Sequence, residues 1–201
     1  VIVPVVNTTF NTTSPGIDGI INYTGNVTDL GGLLSANITY NISGAISKVN
    51  FTSLSGTTAQ ISNATKVCSA ACVVNFTLYV TDAGNNVKQN STLITVSDNK
   101  VPVVNTTFNT TSALVDSVIN YTGNVTDDTG LLSANITYNI SGVITSANFT
   151  SLSGTTAQVS NKTAAPLNCV ETCVVNFTLY VTDTANNVKQ NSTLLKVTDV
   201  T

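Results

Sequence analysis

The sequence predicts an all-β protein, on two observations. Polar and apolar residues alternate in runs of strand length, as in Asn37-Ile38-Thr39-Tyr40-Asn41-Ile42-Ser43, and a period of two leaves one face buried and one wet. Turn-forming residues interrupt these runs about every 8 to 12 positions, while helical spacing is nowhere sustained. In the first hundred residues the strands are expected at 3–9, 17–27, 33–43, 45–53, 57–62, 73–81 and 87–96. Val, Ile and Thr dominate them, the residue types that suit a pleated, half-buried surface. The second strand stops at Asp29-Leu30-Gly31-Gly32, the third at Gly44 and the fourth before Gly56. The sixth carries Val74, Phe76, Leu78 and Val80 against Asn75, Thr77, Tyr79 and Thr81, and ends at Asp82-Ala83-Gly84-Asn85-Asn86. Seven short strands in this spacing read as an immunoglobulin-like β-sandwich.

The pattern is written twice. VPVVNTTFNTTS begins at Val3 and again at Val101, NYTGNVTD at Asn22 and Asn120, and LLSANITYNISG at Leu33 and Leu131, a register of 98 residues. Three extra residues before Cys169 move the later matches, such as VVNFTLYVTD at Val73 and Val174, to a spacing of 101. A unit of this length closes its own core, unlike a solenoid repeat of about 20 to 50 residues. The division expected is a tail or strand at 1–10, one sandwich at 11–100 and a second at 101–201.

Twenty of the 26 asparagines open an Asn-x-Ser/Thr triplet, and none has Pro in the middle. They are Asn7, Asn11, Asn22, Asn26, Asn37, Asn41, Asn50, Asn63, Asn75 and Asn90 in the first copy, and Asn105, Asn109, Asn120, Asn124, Asn135, Asn139, Asn148, Asn161, Asn176 and Asn191 in the second. Ser and Thr make up about a quarter of the chain, so chance would place roughly seven such triplets. The excess marks an exported chain under a coat of N-linked sugar. In a strand, residues i and i+2 share a face, so a triplet with an apolar middle residue turns its acceptor and its hydroxyl outward together. Core and coat are then encoded by one alternation.

Composition excludes other classes. There is no His, Met, Trp or Arg, seven lysines stand against ten acids, and the formal net charge is −3. A nucleic-acid surface needs a basic patch that this chain does not have. Charged residues are only 8% of the chain, and glycans would supply the missing hydration. The lack of an initiating Met suggests a removed signal segment, and no apolar run reaches the roughly 20 residues of a membrane span. The mature protein is expected outside the cell, without a transmembrane segment and without a cofactor other than covalent carbohydrate.

Each copy holds one cysteine pair, Cys68 with Cys72 and Cys169 with Cys173. Three pairings are arithmetically open, and the repeat favours the two local ones. Residues four apart in a straight strand lie about 13 Å from each other, while a disulfide needs roughly 5.5 Å, so SAA and VET must turn tightly. Metal binding and redox catalysis are the weaker readings, for want of His and of a C-x-x-C spacing. The acids, Asp18, Asp29, Asp82, Asp98 and their counterparts, flank turns and suggest turn formation rather than acid–base chemistry. Calcium at Asp127-Asp128 or around Asp82 is the sharper alternative, although the spacing fits no calcium loop. Lys88 and Lys189 have no acid beside them in a strand to support an isopeptide crosslink.

LYVTDAGNNVKQNSTLITV, repeated as LYVTDTANNVKQNSTLLKV, resembles the last hairpin of immunoglobulin-like surface repeats of bacteria and archaea. In composition and plan the whole chain resembles the subunits of archaeal threads, pili built head to tail from glycosylated two-domain β-proteins. The resemblance implies a structural filament subunit serving adhesion or cell contact, whose partners are copies of itself. It also implies donor-strand complementation, in which a segment of one molecule completes the sheet of another. Val1, Ile2, Val3, Pro4, Val5, Val6 and Phe10 would belong to the donor segment 1–10. On that plan Val101 to Phe108 would complete the first copy internally, and the head-to-tail contact would propagate as an open filament. A non-polymerising spacer or adhesin module of a surface layer is the alternative.

Overall fold

The computed structural model describes residues 2–140, 142–166 and 171–199. The chain divides into two compact units, Val1–Asn99 and Lys100–Thr201. The first holds seven strands: β1 (Val5–Phe10), β2 (Ile20–Thr28), β3 (Leu33–Ile42), β4 (Ala45–Phe51), β5 (Thr58–Lys66), β6 (Cys72–Asp82) and β7 (Val87–Val96). The second repeats them as β8 (Val103–Phe108), β10 (Val118–Thr126), β11 (Leu131–Ile140), β12 (Val143–Phe149), β13 (Thr156–Ala164), β14 (Thr172–Asp183) and β15 (Val188–Thr198), with a short extra strand β9 (Ala113–Leu114) beside β15.

Each unit is an immunoglobulin-like sandwich. One sheet has the order β1-β2-β5 and the other β4-β3-β6-β7, and the second unit has β8-β10-β13 against β12-β11-β14-β15-β9. Every pairing between consecutive or crossing strands within these sheets is antiparallel except that of β9 with β15. The β3–β4 hairpin closes on Ser43-Gly44, with φ of 51° and 90° between the paired residues Ile42 and Ala45. Two consecutive positive φ angles give the turn whose twist matches that of the strands, and Gly takes its half without strain.

The alternation read in the sequence becomes the core. Ile21, Tyr23 and Val27 of β2 face Val74, Phe76, Leu78 and Val80 of β6, all 0–1% exposed. Tyr23 and Phe76 stack with ring centroids 5.7 Å apart, and Phe10 of β1 meets both edge-on, at 5.1 and 5.4 Å. Phe108, Tyr121 and Phe177 repeat the trio in the second unit.

Within this chain each VPVVNTTF strand pairs in its own unit, and for Val101 to Phe108 that replaces the expected completion of the first copy. β1 pairs with β2, from Val5↔Thr28 to Phe10↔Tyr23, and β8 pairs with β10, from Val103↔Thr126 to Phe108↔Tyr121. Strand direction gives the reason. β7 delivers the chain to Ser97, which bonds Pro15 and Ile17 at the pole where β1 ends. A strand continuing from there into the place of β1 would run parallel to β2 and forfeit the antiparallel register that β1 makes. In the single chain residues 2–10 lie on their own sandwich: Val6 and Phe10 pack on its core, Pro4 is buried, and Ile2, Val3 and Val5 are exposed. Val1 lies outside the described residues.

Candidate functional site

The sequons form a lattice over the outer faces of both sandwiches. None of the twenty acceptor asparagines is buried: Asn7, Asn11, Asn22, Asn26, Asn50, Asn75, Asn105, Asn109, Asn124, Asn139, Asn148 and Asn176 are exposed, and the rest are half-buried. On β6 the acceptor Asn75 and the hydroxyl of Thr77 face away from the core side chains Val74, Phe76 and Leu78. Thr77 nonetheless falls among the buried residues, and its hydroxyl bonds that of Ser91 across the outer face of the sheet at 2.9 Å.

Neighbouring strands set acceptors beside one another. Asn37 of β3 is the register partner of Asn50 of β4 and donates to its Oδ1 at 3.4 Å, and Asn135 donates to Asn148 in the same way. At the hairpins Asn41 and Asn139 use Oδ1 to accept from the N–H of Gly44 and Gly142, each at 2.9 Å, which occupies the carbonyl rather than the nitrogen that would carry a glycan. Asn11 and Asn109 accept from the backbone N–H of Asn22 and Asn120, each at 2.8 Å, and so tie the segment after the first strand of each unit.

Four acceptors face inward. Asn63 and Asn161 share the core-facing parity of Ile61 and Val159, and Asn90 and Asn191 that of Ile94 and Leu195. Their middle residues are Ala64, Lys162, Ser91 and Ser192, so only Asn63 falls under the expectation stated for an apolar middle residue. Asn90 Nδ2 donates to Thr8 Oγ1 of β1 at 3.1 Å, and Asn191 Nδ2 donates to Thr106 Oγ1 of β8 at the same distance.

Cys68 and Cys72 are bonded, with Cα atoms 6.4 Å apart across a bend at 69–71, as the spacing requires. Cys173 is also disulfide-bonded, and Cys169 lies outside the described residues.

The acids shape turns. Asp82 accepts from the backbone and side-chain amides of Asn86 at 2.7 and 2.8 Å, and Asp183 from those of Asn187 at 2.8 Å each. The Asn86 side-chain amide, helped by the backbone N–H groups of Asn86 and Gly84, holds the Asp82 carboxyl below its ordinary range against the opposing effect of burial. Asp127 Oδ1 accepts from the N–H groups of Thr129 and Gly130 at 3.0 and 2.9 Å. Burial pushes the Asp127 carboxyl up, and those N–H groups, the Thr129 hydroxyl and the Lys100 ammonium more than offset it, so the group titrates low. The Lys100 ammonium lies 2.5 Å from Asp128, one of the acids at which calcium is the alternative reading. Lys88 and Lys189 are exposed near the starts of β7 and β15. Among the described residues no helix is long and apolar enough to cross a membrane.

No protein-family model and no curated protein matches the sequence. A crystal structure of red sea bream transglutaminase resembles 96% of the chain at 10% identity and a TM-score of 0.38, and the chain spans 31% of that protein.

Proposed function

We propose that this chain is a structural, non-enzymatic subunit of an extracellular, heavily N-glycosylated surface assembly, its tandem sandwiches carrying a sugar coat. The observation that supports this best is the disposition of the acceptors: twenty sequons on 201 residues, none buried, most facing away from the core on the strands that build it. A surface with so few charges needs another source of hydration, and the lattice offers one. Glycopeptide mapping of the exported protein tests the coat. Sugar is expected on outward acceptors such as Asn26, Asn75, Asn124 and Asn176, and their uniform lack of modification would sink the reading.

β1 docked at home favours a self-contained spacer. A specific observation favours the filament implied by the resemblance to archaeal threads. Val5–Phe10 and Val103–Phe108 are the same six residues, VVNTTF, and pair in equivalent registers with equivalent strands. Both lie at sheet edges with their inward side chains only half-buried, so the seat of either accepts the other without a change of contacts. In that form of the proposal, copies join by exchanging β1 into the β8 seat of a neighbour. Thr9 occupies in β1 the place of Thr107 in β8, opposite Thr122. Thr9→Cys together with Thr122→Cys then gives a ladder of disulfide-linked oligomers on a non-reducing gel if strands are exchanged. A monomer with two free thiols, and single particles in negative stain, leaves the spacer.

A further inference from the structure

The Asn90 and Asn191 sequons stand apart from the coat. In β7 the side chains at 90, 92, 94 and 96 are the less exposed set, ending in the buried Ile94 and Val96, while 89, 91, 93 and 95 are exposed. Acceptor and hydroxyl of Asn90-Ser91-Thr92 therefore both point toward the space between the sheets. They sit at the seam where the edge strand β1 of one sheet meets the edge strand β7 of the other.

Four residues close that seam. Thr8 is the register partner of Gly25, Leu78 of β6 packs against the bare backbone of Gly25, Asn90 is the register partner of Leu78, and the Asn90 amide bonds Thr8. The same ring forms from Thr106, Gly123, Leu179 and Asn191, with the Thr106 and Thr193 hydroxyls a further 3.3 Å apart. A sugar ring on Nδ2 would have to share the space that Thr8 or Thr106 fills, in a sandwich whose sheets lie only about 10 Å apart.

We propose that Asn90 and Asn191 are seam sequons: carbohydrate on either excludes the first strand of its own unit, so that the closed sandwich carries none there. Modification before folding would leave the unit with β1 or β8 undocked. Folding first would shut the acceptor away from the glycosylating enzyme. This rests on the reading of the chain as a glycoprotein, and it assigns these two positions, among the twenty, the role of reporting whether the seam is shut.

The test uses the full chain with its disulfides intact, bearing Asn90→Cys or, for comparison, the outward Asn75→Cys, and a maleimide-linked polyethylene glycol. N75C is expected to react at similar rates in native buffer and in denaturant, and N90C at least about tenfold more slowly in native buffer. Equal rates at N90C overturn the proposal. When N90C is labelled in denaturant and then refolded, the amides of Val5–Phe10 should exchange freely while those of β3 and β6 stay protected. Full protection of Val5–Phe10 overturns it.

If N90C does not fold, glycopeptide mapping of the unaltered chain, paired with hydrogen exchange, reads the same point. Asn90 and Asn191 are expected bare beside occupied outward acceptors, and sugar on Asn90 with Val5–Phe10 still protected overturns the assignment. A chain bare at every sequon removes the coat, while the labelling result for the seam stands by itself.

Discussion

Leu78 lies directly on the backbone of Gly25, on the opposite sheet, and Leu179 lies in the same way on Gly123; a Cβ at either glycine would overlap the leucine Cδ2. Both leucines are fully buried, so the methyl has little room to give way. Gly25→Ala is therefore expected to destabilise the first unit by about 1–2 kcal/mol, the cost of overpacking less the gain from a stiffer unfolded chain. The melting temperature of that unit should fall by roughly 4–8 °C per kcal/mol, with the second unit unchanged in the same calorimetric trace. A variant as stable as the parent would show that the core repacks freely.

Most of this fold was legible from periodicity and repetition. The seventh strand was expected at 87–96 and lies at Val87–Val96, because Asp82-Ala83-Gly84-Asn85-Asn86 and Ser97-Asp98 bound it unambiguously. The fifth was expected to end at 62 and runs to Lys66, since Asn63-Ala64-Thr65 has no apolar alternation to announce a strand; pairing with β2 holds it there instead, as far as Ile20↔Lys66. The pairing of Val103–Phe108 within its own unit, rather than with the first copy, was hidden for a related reason. Nothing in eight residues states which neighbour a strand pairs with, and that follows from the pole at which β7 releases the chain. The inward turn of Asn90 was legible as well, because it shares the parity of Ile94 and Val96 in one uninterrupted strand.

The staple between Cys68 and Cys72 closes a very short loop, so its effect should be modest. Cys68→Ser with Cys72→Ser is expected to cost about 2 kcal/mol, the loop-closure entropy of so short a ring. The bond from the Asp18 N–H to the Cys68 carbonyl, which the substitution leaves intact, keeps part of the turn in place without the disulfide. Urea denaturation with and without reductant checks this. A loss several times larger would mean that the bend at 69–71 does not form unless it is crosslinked.

The acid response follows from the direction of two shifts. Asp82 and Asp127 both titrate below the ordinary 3.8 in the folded chain, so the stabilisation they bring is complete above that value and is lost as pH falls through their lower, folded values. There is no histidine to titrate between about pH 5 and 8. The melting temperature should be flat from neutral pH to about pH 5 and decline only below the ordinary carboxylate range. Asp82→Asn should lower the plateau of the first unit and flatten its acid decline. A midpoint that collapses between pH 7 and 5 would contradict the assignment.

Phe10 is the anchor that decides where β1 rests. Its ring meets Tyr23 and Phe76 edge-on at interplanar angles of 70°, yet it is only half-buried, and the other inward side chains of β1, Val6 and Thr8, are no deeper. Truncating a fully buried Phe costs about 3–5 kcal/mol, so Phe10→Ala is expected to cost about 2 kcal/mol. The loss should be local, because β2 keeps its ladder with β5 when β1 leaves. Hydrogen exchange should show the amides of Val5–Phe10 losing protection well before those of β2 and β6. Phe108→Ala should do the same for Val103–Phe108 against Tyr121 and Phe177. Uniform loss across all the strands of a unit would make the first strand an integral part of one cooperative core, and would remove the physical basis for a strand that can be exchanged between copies.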